Sequence, residues 1–147
     1  MYIPFLNISE ILVRGDFRID IFNTKVCGNL YLSESIGSRA KEVFAFSKLK
    51  FYLFSPEDIF VFKSITEREG DVVDSVNLAR RIEDWDVVFN EISSQIKEQE
   101  QDVWITYFVV RLEALEEKGI FVPIYKKSRK IAEEYYNLLE MRTKRLK

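Results

Sequence analysis

The sequence predicts an α+β protein: a small N-terminal β-sheet of three to five short strands and one short helix over residues 1–54, followed by a mainly helical half over residues 55–147. Three observations carry this prediction. Apolar and polar residues alternate in short runs up to Phe54, and apolar residues recur at helical spacing from Trp85 onward. Between the two regions, Ser55-Pro56-Glu57-Asp58 spells a helix start. The chain has 147 residues, 47% of them hydrophobic and 14% aromatic, enough for a sizeable core, and one domain spanning 1–147 is expected.

In chain order, Ile11-Leu12-Val13 reads as a strand, Arg14-Gly15-Asp16 as a turn, Phe17 to Asn23 as a second strand and Val26 to Leu32 as a third. Arg18-Ile19-Asp20-Ile21 alternates polar with apolar, the pattern of a half-buried strand. Ser33 is placed to cap a short helix through Lys41, with Glu34 meeting the helix dipole and Gly37 weakening the interior. Val43 to Phe46 and Leu49 to Phe54 follow as strands around a tight Ser47-Lys48 turn.

Ser55 then supplies an N-cap, Pro56 the first helical position and Asp58 an acid at the third. This helix is expected to reach about Arg68, stop near Gly70 and resume through Asp71 to Ile82, as two helices or one bent helix. Trp85, Val88, Phe89, Ile92 and Ile96 form one core-facing stripe, and Trp104, Tyr107, Phe108, Leu112 and Leu115 another. Gly119 reads as the stop of that helix and Pro123 as its connector. A last helix from about Lys126 is expected to turn Ile131, Tyr135, Leu138 and Leu139 inward.

Composition narrows the chemistry. The chain has no histidine, which excludes Ser-His-Asp triads, histidine bases and histidine-ligated metals within it. Cys27 is the single cysteine, so an intrachain disulfide is excluded, and its β-like setting predicts a buried or half-buried thiol. What remains is carboxylate, lysine, tyrosine and hydroxyl chemistry, for which magnesium is the natural metal. Apolar runs fall far short of the roughly 20 residues that cross a bilayer, and the N-terminus lacks the pattern of a secretory signal, so no membrane and a cytoplasmic location are expected.

Net charge is −2, unevenly spread. Residues 83–118 carry ten acidic and three basic side chains, and residues 126–147 eight basic and three acidic. The basic tail reads first as the solvated face of a terminal helix; nucleic-acid approach is the lesser reading, because Tyr125, Tyr135 and Tyr136 fit core packing at helical spacing.

Two constellations bear on function. The first is Asp20, a carboxylate flanked by Ile19 and Ile21 in a strand. The second is the ordered string Ser55-Pro56-Glu57-Asp58, Lys63, Arg68, Asp71 and Asp74. Lys63 with Glu67 and Arg68 with Asp71 have helical ion-pair spacing, and Asp71 and Asp74 share a helical face. This string is read either as an ion-pair network joining helices or as cations, Lys63 or Arg68, placed to neutralise triphosphate charge.

From Gly15 to Glu91 these residues together resemble nucleotidyltransferase-fold proteins, namely a small prokaryotic nucleotidyltransferase-like family and related toxin-type nucleotidyltransferases. The resemblance implies that Asp20 corresponds to the third metal-binding acid, Lys63 and Arg68 to phosphate contacts, and Asp71 and Asp74 to structural or site acids. It also implies magnesium, if another segment completes the site. The front of that pattern, a Gly-Ser or Gly-Gly turn followed by a strand with two carboxylates one residue apart, is absent upstream of Asp20. Two-metal phosphoryl transfer needs several carboxylates converging on ions about 4 Å apart. Asp16, four residues before Asp20, would stand about 13 Å away along an extended strand.

A truncated start, a split protein and a degenerate homologue retained for binding all fit this pattern. Two functions follow: a nucleotidyltransferase-like domain inactive alone, or a non-catalytic interaction or regulatory module such as an antitoxin-like partner. Either would leave a strand edge to be covered, so a homodimer through the N-terminal strands is expected.

Overall fold

The computed structural model describes residues 8–26, 30–66 and 68–145. Their elements run β1 (Ile8–Arg14), β2 (Phe17–Phe22), α1 (Glu34–Arg39), β3 (Lys41–Phe46), β4 (Leu49–Leu53), α2 (Pro56–Ser64), α3 (Glu69–Ala79), α4 (Trp85–Gln99), α5 (Trp104–Glu117) and α6 (Tyr125–Arg145). The protein is α+β, with its four strands and one short helix first and five helices after, among the described residues. Packing divides it into two compact units, Met1–Phe54 and Ser55–Lys147.

In the first unit the strands form two separate antiparallel hairpins rather than one sheet. In β1–β2, Gly15 at φ 59° makes the turn, and Leu12 faces Ile19, Ile11 faces Asp20 and Arg14 faces Phe17. Of the expected third strand, Val26 to Leu32, the described residues show an isolated bridge between Lys25 and Tyr31. Cys27 and Gly28, and with them the expected buried thiol, lie outside the described residues. The half-buried strand expected around Asp20 is also corrected: Phe17 is 80% and Ile19 60% exposed. Among the described residues, β1 and β2 form a sheet of these two strands alone.

The second hairpin closes through the two-residue Ser47-Lys48 turn, and its pairing sorts the side chains by chemistry. Phe46 pairs with Leu49, Phe44 with Phe51 and Lys41 with Leu53 on one face. Ala45 pairs with Lys50 and Glu42 with Tyr52 on the other, with Val43 as the extra residue of a bulge between Glu42 and Phe44. Between the hairpins, Ser33 caps α1 by accepting from the Ile36 N–H at 3.1 Å, as its position predicts.

The second unit is a helical assembly in which α2 packs on α3, α4 and α5, α3 packs on α5, and α5 packs on α6. Its core is Phe60 and Val61 of α2, Val88 and Ile92 of α4, Phe108, Leu112 and Leu115 of α5, Val122 and Ile124 before α6, and Ala132 within it. Phe60 meets Trp85 edge to face at 5.4 Å. Ser55 caps α2 by accepting from the Asp58 N–H, and its hydroxyl donates to the Asp58 carboxylate at 2.9 Å. Buried Glu57 accepts the N–H of Glu83 at 2.9 Å and of Asp84 at 3.4 Å, fastening the first turn of α2 to the segment that opens α4.

Two helical expectations change. The break between α2 and α3 falls at residues 65–68, before Gly70, because Arg68 adopts an extended backbone and α3 already includes Gly70. The inward face expected for α6 is also displaced. Ser128 and Ala132 are buried, whereas Ile131, Leu138, Leu139 and Tyr136 are exposed. At 21 residues α6 outruns the 14-residue α5 on which it packs, leaving its last turns without a neighbour from that helix.

Candidate functional site

The break after α2 builds the most connected polar cluster of the helical unit. The helix α2 ends at Ser64, and the Lys63 side chain crosses to α3. Its ammonium donates to Asp71 at 2.6 Å and to Asp74 at 2.8 Å. The Thr66 hydroxyl donates to the other oxygen of Asp71 at 2.5 Å and lies 3.0 Å from the Lys63 carbonyl. Arg111, buried on α5, donates through Nη2 to the Thr66 carbonyl at 2.6 Å. Three helices are thereby tied to one turn.

Charge follows this wiring. Burial alone would lower the pKa of Lys63, but hydrogen bonds to Asp71 and Asp74 outweigh it and hold the ammonium above the ordinary lysine value. Burial would likewise raise the Asp71 carboxyl, and the Lys63 and Thr66 hydrogen bonds reverse the sign, assisted by the charges of Lys63 and Arg68. Arg111 is lowered by burial, with the Asp71 charge opposing. Glu57 is held below the ordinary carboxylate value: burial raises it, and the N–H donors of Glu83, of its own backbone and of Asp84, with Ser55, prevail.

Of the residues expected from sequence, Lys63, Asp71 and Asp74 are brought together. Arg68 stands exposed at the start of α3, acting on Asp71 through its charge. The pairing expected of Lys63 with Glu67 has a partner outside the described residues; Lys63 serves the two aspartates. Asp20 belongs to the other unit, where its carboxylate receives the Arg18 guanidinium at 2.6 Å. Arg18 and Asp20 are two apart in β2, so they share one face of the strand.

This arrangement does not fit magnesium. Asp71 and Asp74 converge on an ammonium, which takes the place a metal would have, and Asp20 is paired with a guanidinium. Among the described residues no group of three or more Asp, Glu, Cys or His side chains converges to hold a metal ion.

Sequence reasoning missed Arg111, Arg80 and Arg81. Arg111 was readable in principle, since it sits three residues after Phe108 and four before Leu115, on the buried stripe of α5, where a guanidinium requires a buried acceptor. Arg80 and Arg81 line a concavity of about 490 Å³ beside Lys63 and Asp74, with Ile59, Asn77 and Leu78. An apolar groove of about 310 Å³ lies between α4, the start of α5 and α6, lined by Ile96, Ile105, Ile131 and Leu138.

Compared with protein-family models, curated proteins and solved structures, the chain matches none. No described helix is long and apolar enough to cross a membrane.

Proposed function

We propose that this chain is a non-catalytic interaction module that pairs with a second copy of itself through the apolar face of the β3–β4 hairpin. The carrying observation is the asymmetry of that hairpin. On one face Glu42 accepts from Tyr52 at 3.1 Å and pairs with Lys50 at 3.3 Å, a polar set complete in itself. The opposite face presents Phe44, Phe46, Leu49, Phe51 and Leu53, with Phe44 and Phe46 each 67% exposed. A lone two-stranded hairpin is marginal in water, and leaving five large apolar side chains uncovered adds to the cost.

A second copy is the occupant best matched by area. With a whole aromatic side chain offering roughly 200 Å², the five side chains expose about 500 Å² per copy. Two such faces stacked about a twofold axis bury about 1,000 Å², the threshold for a specific interface. The face is apolar throughout its centre, so it complements itself without a charge clash, and the outward polar face stays in water.

The two functions expected from sequence both leave the chain without transfer activity alone. The interaction reading is favoured because Lys63 and Asp20, the groups a transferase site would need free, are each engaged by an opposite charge.

Sedimentation velocity tests the proposal. The chain is expected to sediment as a dimer at about 100 µM, and Phe44→Ser with Phe46→Ser as a monomer with unchanged helical circular dichroism. A monomeric parent chain, or a double variant that still dimerises, would overturn it. Magnesium-dependent transfer from a nucleoside triphosphate that is lost in Asp20→Asn would restore the catalytic reading.

A further inference from the structure

We infer that the concavity beside α3 is a binding site for a small phosphomonoester with an apolar body, held by Arg80 and Arg81. It lies wholly in the helical unit, so it is independent of the hairpin proposal. Its lining combines two guanidiniums and the Asn77 amide with an apolar floor from Ile59 and Leu78. At about 490 Å³ it falls within the range of small-ligand pockets.

The charge pattern selects the ligand. Lys63, which with Asp74 also lines the concavity, is shared by Asp74 at 2.8 Å and by buried Asp71 at 2.6 Å, and the second carboxylate charge is offset by the charges of Arg68 and Arg111 that act with Asp71. Arg80 and Arg81 have no ion pair with any described residue, and both are exposed. Adjacent guanidiniums present planar forks of N–H donors, the geometry that suits phosphate oxygens.

One effect opposes an anion here. The helix α3 ends at Ala79, so its terminal carbonyls bring about half a negative charge. Two full positive charges from Arg80 and Arg81 exceed it. The Ile59 and Leu78 floor then favours an ester over inorganic phosphate, because an apolar substituent finds surface to cover.

Titration of the full chain with phenyl phosphate, inorganic phosphate and phenol, followed by amide chemical shifts, tests the site. Phenyl phosphate is expected to bind saturably, at least about tenfold tighter than inorganic phosphate and with phenol not binding, and to shift the Asn77 and Leu78 amides. Arg80→Gln with Arg81→Gln should weaken phenyl phosphate at least about tenfold. Arg80→Lys with Arg81→Lys, which keeps charge but loses the forks, should weaken it by an intermediate factor. Both positions are exposed, and unchanged circular dichroism checks that the variants fold. Absence of saturable binding, or equal binding by the Gln variant, would overturn the inference. So would a DNA duplex that binds tighter than phenyl phosphate and shows the same loss, since that describes a polyanion patch rather than a pocket.

Discussion

Arg111 donates to the backbone carbonyl of Thr66 at 2.6 Å, across 45 residues of chain, and this contact joins α5 to the turn that separates α2 from α3. The carbonyl belongs to residues that have left one helix and not yet entered the next, so no i→i+4 amide serves it. A buried guanidinium supplies the donor, although its Nε finds no partner among the described residues. Arg111→Ala removes the donor and opens space, and is expected to cost about 3 kcal/mol. Arg111→Met fills the space and deletes the unpaired Nε as well, and is expected to cost about 1 kcal/mol. Urea denaturation of both variants checks the order; equal losses would mean that the hydrogen bond, and not the packing of the side chain, carries the contribution.

Asp71 and Asp74 both hold Lys63, but burial separates their worth. Asp71 is 6% exposed and serves Lys63 and Thr66, whereas half of the Asp74 side chain is in water. Asp71→Asn is expected to destabilise the chain by about 2 kcal/mol, because Lys63 loses its buried partner. Asp74→Asn is expected to cost less than about 0.5 kcal/mol, the scale of an exposed ion pair. Thermal denaturation at low and high salt adds a second readout: the smaller effect should fade with salt and the larger persist.

The same wiring sets a pH dependence. Asp71 and Glu57 have folded pKa values below their ordinary 3.8 and 4.5, so their contribution is present above those values and is lost as pH falls through the folded ones. Lys63 has a raised folded pKa, so its share is fully present below 10.5 and is lost only as pH climbs beyond it. Stability should therefore hold from neutrality down to about pH 5 and fall below it. Asp71→Asn should lower stability at pH 7 yet make the acid-side decline shallower. Urea midpoints between pH 2 and pH 7 report this, and parallel profiles would show that Asp71 is not among the groups protonated on acid unfolding.

Where the fold was legible in sequence, the signal was local. Ser33, Ser55 and Gly119 mark helix ends because their caps close within a few residues, and the stripes of α4 and α5 follow from helical periodicity, except that Tyr107, expected to face the core, is exposed. The break between α2 and α3 was misplaced because Arg68 begins α3 with no side-chain cap hydrogen bond to announce it. Pairing of strands into two hairpins rather than one sheet depends on contacts between segments, and alternation is the same in both cases. The candidate site was half legible. Asp71 and Asp74 share a helical face as their spacing requires, but the partner of Lys63 was decided by where α2 ends, and the Arg111 contact spans 45 residues.

Two helix ends with the same hydrogen bonds provide a matched pair of expectations. After α5, the Ile120 N–H reaches the Leu115 carbonyl at 3.0 Å and the Gly119 N–H that of Glu116 at 2.9 Å, with Gly119 at φ 74°. After α4, the Gln101 N–H reaches Ile96 at 3.0 Å and the Glu100 N–H reaches Lys97 at 3.4 Å, but the left-handed position is held by Glu100 at φ 53°. A side chain there meets its own backbone, a penalty of about 1 kcal/mol that glycine escapes. Glu100 also sets a negative charge against the negative end of the α4 dipole. Glu100→Gly is thus expected to stabilise the chain by about 1 kcal/mol, and Gly119→Ala to destabilise it by a similar amount. Glu100→Gln, which removes the charge and keeps an ordinary side chain in the left-handed region, should recover only the electrostatic part of the gain. Urea unfolding of the three variants separates the causes: if Gln matches Gly, charge dominates, and if Gln matches the parent chain, backbone strain does.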